Sequence, residues 1–306
     1  MGQQLKKRHI NGVLLFDKPI GLSSNQALQS VKRLFNANKA GHTGSLDPIA
    51  SGMLPICFGE ATKFSQFLLE ADKRYNVMAK LGIATASGDS EGEVIAKKEV
   101  GHISLADIEK ILPEFRGKIM QLPSMYSALK HHGQPLYKLA RQGITVEREK
   151  REVNIFELIC LGVDHDLAKF SVHCSKGTYI RSLITDIGEK LGCGAHVIEL
   201  RRLSVGNYQE NAMITLAQIE NLAKNSDFTA LDGLLLPVAS MMKDWPEVLL
   251  SSDMVHYILE GHPVLIPKAP SSGLVKLKTK TGLFLGVGEI MEDGKVAPRR
   301  LVAKPI

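Results

Sequence analysis

Residues 41–48 read Gly-His-Thr-Gly-Ser-Leu-Asp-Pro, where glycines, polar side chains and one carboxylate crowd into a short stretch. Glycines let a backbone approach a ligand closely, and functional groups tend to sit on loops held by rigid neighbours. Asp47 is therefore a candidate for work that needs one carboxylate, as nucleophile or as base. The same Asp47-Pro48 pair also serves as an ordinary turn initiator and cap. A second cluster, Lys176-Gly-Thr-Tyr-Ile-Arg181, falls where a strand is expected to run into a helix. Tyr179 and Arg181 cannot share one helical face, but at such a turn both can point into one cleft. The alternative there is a helix start with a chance basic residue.

The elements that must position these groups belong to a folded, apolar-cored chain. Its 306 residues are 44% hydrophobic with mean hydropathy near zero, which suits one large and one small domain. Lysine and arginine outnumber aspartate and glutamate by 38 to 32, a lean toward polyanionic partners. Residues 251–306 carry eight basic and five acidic groups, so positive charge is densest in the tail. Cys57, Cys160, Cys174 and Cys193 form no CxxC pair and no Cys/His cluster, which predicts a reduced cytoplasmic protein with no metal. Neither a signal peptide nor a membrane-length apolar run is visible.

Val13 to Phe16 reads as a buried strand, followed by a helix capped at Ser23 or Ser24 with Ala27, Leu28, Val31, Leu34 and Phe35 on one face. Lys39 to Ala50 has no periodicity and is expected to be a loop, with a helix at 61–71 beyond it. From Tyr75 to Leu81 the pattern has period two, a strand, and ASGDSEGE after it reads as a hairpin turn. Ser104 with Asp107, and Thr215 with Gln218, form helix-capping pairs. Further strands are expected at 153–161 and 168–174. The sum is an α+β fold, a mixed and largely antiparallel sheet flanked by helices. Residues 124–151, with six lysines and arginines and a short helix between Pro135 and Gly143, look like an inserted arm. After Asp244-Trp-Pro246, turns at SSG, TKTG and EDG mark a small β-rich module.

The motifs GVLLFDKPIGLSSN, KAGHTGSLDPIASGMLPICFGEATKF, DKRYNV, PSMYSALK, HCSKGTYIRSL, LRRLSVG and VAPRRLV occur in order along nearly the whole chain. In these the chain resembles the bacterial tRNA pseudouridine-55 synthases. The resemblance implies a catalytic domain at 1–245 with an RNA-binding thumb at about 124–151, and a PUA-type, β-barrel-like RNA-binding domain at 246–306. It implies isomerisation of a uridine in the tRNA T-loop, after the base is flipped out, by a stand-alone monomer without guide RNA or cofactor. Asp47 matches the catalytic aspartate, Tyr75 the tyrosine that stacks on the base, and Tyr179 a pocket tyrosine. Arg181 matches the arginine paired with the aspartate, and Leu200 an apolar pocket residue. His42 is similar to a residue that fills the space the flipped base leaves. Lys130, Lys138 and Arg141 in the arm, with Lys18, Lys176 and Arg202, are expected to contact RNA.

Such a reaction breaks the N1–C1′ bond, turns the uracil and bonds C5 to C1′, with no net oxidation and no hydrolysis. It needs one ionised carboxylate, to attack the sugar or to assist loss of a C2′ proton. An arginine beside that carboxylate would lower its pKa and orient it, whereas burial alone would raise it. The loose uracil needs a flat apolar sandwich, which Tyr75 and Leu200 would supply. Two other classes compete: a non-catalytic RNA-binding or tRNA-folding protein on the same scaffold, and a base-removing glycosylase. The intact Asp47, Tyr75, Tyr179 and Arg181 set speaks against the first, and the lack of an evident second carboxylate against the second.

Overall fold

The computed structural model describes residues 6–127, 129–225 and 227–306. The chain opens with β1 (Gly12–Lys18), α1 (Ser24–Leu34), β2 (Ala40–His42) and β3 (Ala50–Phe58). A 3-10 turn at Gly59–Phe64 leads into α2 (Ser65–Glu70), then β4 (Lys73–Leu81), β5 (Ile83–Thr85), β6 (Val94–Lys97), α3 (Leu105–Ile111) and β7 (Gly117–Gln121). The arm carries β8 (Lys130–His131), β9 (Gln134–Pro135) and α4 (Leu136–Ala140). The chain re-enters the body as β10 (Arg151–Asp164), β11 (Leu167–Cys174), α5 (Ile180–Lys190), β12 (Ala195–Val205), β13 (Ile214–Thr215), α6 (Leu216–Lys224) and α7 (Phe228–Gly233). The last part holds β14 (Glu247–Leu250), α8 (Ser252–Leu259), β15 (Val264–Leu265), β16 (Gly273–Thr279), β17 (Phe284–Ile290) and β18 (Lys295–Leu301).

The large sheet runs β13-β1-β3-β12-β4-β11-β10-β7, with β2 paired to β3. It is antiparallel except where β1 meets β13 and β3 meets β12. β4 shows the cause of strand formation most simply, since its residues alternate buried and half-buried along all nine positions. Tyr75, Val77, Ala79 and Leu81 all face the main apolar core beneath α1, α3 and α5. β12 can lie beside β3 only because Gly52, at φ 97°, has no side chain. A Cβ there would sit 2.2 Å from the Arg202 carbonyl oxygen.

Several sequence expectations are refined. Ser23, not Ser24, caps α1, in a reciprocal capping box with Gln26. Ala40–His42, inside the expected loop, form a strand because β3 offers them a ladder. The arm leaves the sheet after Gln121 and returns at Arg151, where the two residues pair, and it has its own small core of Met125, Leu136 and Leu139. The β-rich module is a five-stranded sheet, β14-β16-β17-β18-β15, whose edge strands do not pair with each other. It curls into a half-barrel instead of closing, and α8, absent from the sequence reading, packs against it. Among the described residues no helix is long and apolar enough to cross a membrane.

Candidate active site

Asp47 lies in the loop joining β2 to β3, and that loop is tied down on three sides. The Ser24 hydroxyl donates to the Leu46 carbonyl (2.9 Å) and accepts from the Leu46 N–H (2.7 Å). The Gly21 N–H donates to the Pro48 carbonyl at 2.8 Å. Arg202 reaches in from β12, donating through Nη2 to the Gly44 carbonyl (2.9 Å) and through Nε to the Met53 carbonyl (2.6 Å). These bonds fix the backbone on either side of a single carboxylate.

Three neighbouring strands supply a wall. Register sets Arg202 opposite Tyr75 and Leu200 opposite Val77 across β12 and β4, with Leu200 also opposite Ala50 of β3. Alternation therefore puts Tyr75 and Leu200 on one face, in the same cluster as Leu46. Burial pushes the Tyr75 phenol above its usual 10.0, so it stays protonated at neutral pH.

The strand-to-helix turn provides the rest. Tyr179 is the N-cap of α5, and Arg181 follows in its first turn, 5% exposed. The guanidinium is engaged on every side. Nε lies 2.9 Å from the Asp47 carboxylate and Nη1 lies 3.0 Å from the Asp89 carboxylate. Nη1 also donates to the Ser87 carbonyl (2.9 Å), and Nη2 to the Tyr126 carbonyl (2.8 Å). Asp47 and Arg181, 134 positions apart in sequence, thus form one ion pair.

Asp89 is the residue that sequence reasoning missed. It sits in ASGDSEGE, which does connect β5 to β6, but the turn folds inward against β12 and Asp89 is 3% exposed. Nothing in its spacing separates it from a turn aspartate. Only its burial behind Arg181 does, and the second carboxylate thought absent is therefore present on the far side of the arginine.

Burial raises the Asp47 pKa above its usual 3.8, and the nearby Asp89 charge adds to the rise; Arg181 and Lys18 oppose it. Burial is the largest of these, so the arginine moderates the shift without reversing it. Lys18 is itself pushed down by burial to about 8, with Asp47 pulling the other way. His42 ends β2, half-buried; burial and Arg202 lower its pKa, so it stays neutral at pH 7. Its Nδ1 has no hydrogen-bond partner among the described residues.

Two of the residues expected to contact RNA are buried in the fold. Lys18 is 0% exposed and donates to the Pro19 (2.9 Å) and Leu22 (2.7 Å) carbonyls. Arg202 is 1% exposed and spent on the loop. Lys18 thereby ties the turn between β1 and α1, and Arg202 ties Gly44 to Met53, so each buried cation is compensated by backbone carbonyls. Lys130, Lys138 and Arg141 are exposed on the arm, as is Lys176, which lies 3.5 Å from Glu70. Among the described residues no cluster of three or more metal-binding side chains occurs.

Three family models tile the chain. "TruB family pseudouridylate synthase (N terminal domain)" matches residues 32–180. "tRNA pseudouridylate synthase B C-terminal domain" matches 181–243, and "Pseudouridine synthase II TruB, C-terminal" matches 246–302. The tRNA pseudouridine synthase B of Coxiella burnetii is 56% identical, over 98% of this chain and 97% of its own. The chain belongs to the TruB family. Its TruB relatives from Stutzerimonas stutzeri (53% identical, 97% of each chain) and Yersinia pestis (52%, 100% of this chain and 97% of the other) carry the same printed name. Among solved structures, an archaeal box H/ACA sRNP Nop10-Cbf5 complex matches with TM-score 0.71 and 25% identity, over 96% of this chain and 86% of that one. The TruB scaffold is thus shared from the β1 strand to the half-barrel.

Proposed function

We propose that this TruB chain converts a uridine of tRNA into pseudouridine, and that the target is position 55 in the T-loop. The observation that carries the reading is the Asp47–Arg181 pair at 2.9 Å, placed beside the Tyr75 and Leu200 wall. The names of relatives at 52–56% identity supply the substrate class.

The residues divide the work as follows. Asp47, ionised and held by Arg181, acts on the sugar as the N1–C1′ bond breaks, either by attack or by assisting loss of a C2′ proton. Tyr75 and Leu200 hold the detached uracil flat while it turns. C5 then bonds C1′, its proton leaves, and N1 gains one, so nothing is oxidised and nothing hydrolysed. His42 fills the gap left by the extruded base. Asp89 is buried and paired with Arg181, which leaves a glycosylase without a free second carboxylate to use.

Residues 1–245 form the catalytic unit in this reading, with the arm closing on the RNA through Lys130, Lys138 and Arg141. Residues 246–306 add affinity, and Lys176 meets the RNA beside the pocket. The arm favours a stand-alone enzyme that needs no guide RNA, and in this reading it acts as a monomer in the cytoplasm. The test is Asp47→Asn on unmodified tRNA transcript. Its single-turnover rate should fall by about 10⁴-fold or more while filter binding shows little change in tRNA affinity. A near-normal rate would refute the mechanism, and lost binding would make Asp47 a turn residue.

A further inference from the structure

Gln121 is the last residue of β7, at the point where the chain leaves the sheet for the arm. It is 2% exposed and lies opposite Arg151, where the chain comes back. Its amide is spent entirely on the backbone of one residue. Oε1 accepts from the Tyr179 N–H at 2.8 Å, and Nε2 donates to the Tyr179 carbonyl at 3.0 Å. Tyr179 is the N-cap of α5, and at that position its N–H has no helical partner. Gln121 supplies one, as a borrowed rung of β-ladder.

The chain beyond Gln121 continues along the same turn of α5. The Leu122 carbonyl accepts from the Ser182 hydroxyl at 3.4 Å, and the Tyr126 carbonyl from Arg181 Nη2 at 2.8 Å. The root of the arm is therefore stitched to Tyr179, Arg181 and Ser182. Of these attachments only that of Gln121 is two-pronged and made by a buried side chain.

We infer that Gln121 is a positioning residue: by clamping the Tyr179 backbone at the head of α5 it sets the direction of the Arg181 side chain toward Asp47, and it ties the arm's root to the catalytic pair. It touches neither substrate nor Asp47, and acts through Tyr179. The inference rests on the uridine-isomerase reading of the site. A fully satisfied buried amide could instead serve stability alone, and the two roles differ in what a substitution changes.

Gln121→Met keeps the length and loses both bonds. Gln121→Glu keeps the acceptor but, when ionised, sets a carboxylate against the Tyr179 carbonyl. Protonated, it again donates to the carbonyl and accepts from the N–H. Single-turnover conversion of unmodified tRNA, tRNA affinity and melting temperature are to be measured for the wild type and both variants across pH. The Met variant should lose about 10- to 100-fold in rate, as small misplacements near a reacting group do, with affinity within about threefold of wild type. The Gln121→Glu rate, divided by the wild-type rate at each pH, should recover as pH falls and the carboxyl protonates. Wild-type rates in both folded variants would overturn the proposal. So would a loss confined to melting temperature or to affinity, or a Glu-to-wild-type ratio indifferent to pH. A wild type that converts no uridine would instead overturn the functional reading, and the proposal with it.

Discussion

The Asp47 carboxyl is pulled in two directions, and the balance makes a pH prediction. Burial and the Asp89 charge raise its pKa above 3.8, while Arg181 and Lys18 lower it. If the reaction needs the ionised form, the rate must fall as pH drops through this raised value. The acidic limb of single-turnover rate against pH should therefore lie above that of an ordinary aspartate. Asp89→Asn removes a like charge, so the limb should move to lower pH, although the plateau drops because Arg181 loses an anchor. Lys18→Met removes an opposing charge, and its limb should move to higher pH. Shifts in the same direction for both variants would contradict this electrostatic account.

The arm and the β3–β12 contact put different demands on their sequences. Lys138 and Arg141 are exposed on and just after α4, an element whose apolar side is already closed by Leu136 and Leu139. Their charge is free to meet phosphates. Replacing both with alanine should flatten the log–log dependence of tRNA affinity on salt by up to about two units. An unchanged slope would leave them as solvated charge. Gly52 answers to geometry alone. With φ 97° and the Arg202 carbonyl oxygen 2.2 Å from any Cβ, Gly52→Ala must separate β3 from β12. A loss of about 2 kcal/mol or more in unfolding free energy is expected, measurable by urea titration.

The whole molecule holds its two largest sheets together through a shared apolar cluster. Val13, Met53 and Phe64 from the large body pack with Phe284, Val287 and Val302 from the half-barrel. Phe64 and Phe284 meet edge-on with centroids 5.5 Å apart. Lys63 donates to the Leu301 carbonyl at 3.3 Å, and Glu60 accepts from the Ala303 N–H. Calorimetry should therefore show one cooperative unfolding transition for body and half-barrel together. Phe284→Ala should cost about 3–5 kcal/mol and lower that single transition. Two resolved transitions in the wild type would mean that the cluster does not couple the halves.

Local rules carried much of this structure in the sequence. The period-two run from Tyr75 to Leu81, the capping pairs at Ser104 and Thr215, and the turn into α5 at Tyr179 all follow from interactions within a few residues. Asp47, Tyr75, Tyr179, Arg181 and Leu200 were put forward as one set by the family resemblance, and the fold brings Asp47 and Arg181 into an ion pair. What no local rule contains is where a polar side chain finds its partner. Lys18 and Arg202 look like phosphate contacts, but in the fold their cations meet backbone carbonyls, those of Pro19 and Leu22 for Lys18 and those of Gly44 and Met53 for Arg202. Asp89 looks like a turn residue, and nothing in the sequence marks Gln121. Their roles exist only once β7, α5 and the β5–β6 connection meet, because a buried charge or amide must be paired and its partner here lies 58 to 92 residues away. The sequence determined the elements that local rules can make and the chemistry they could hold, whereas tertiary packing made β2 a strand and decided which polar groups hold the others in place, because only there do distant partners meet.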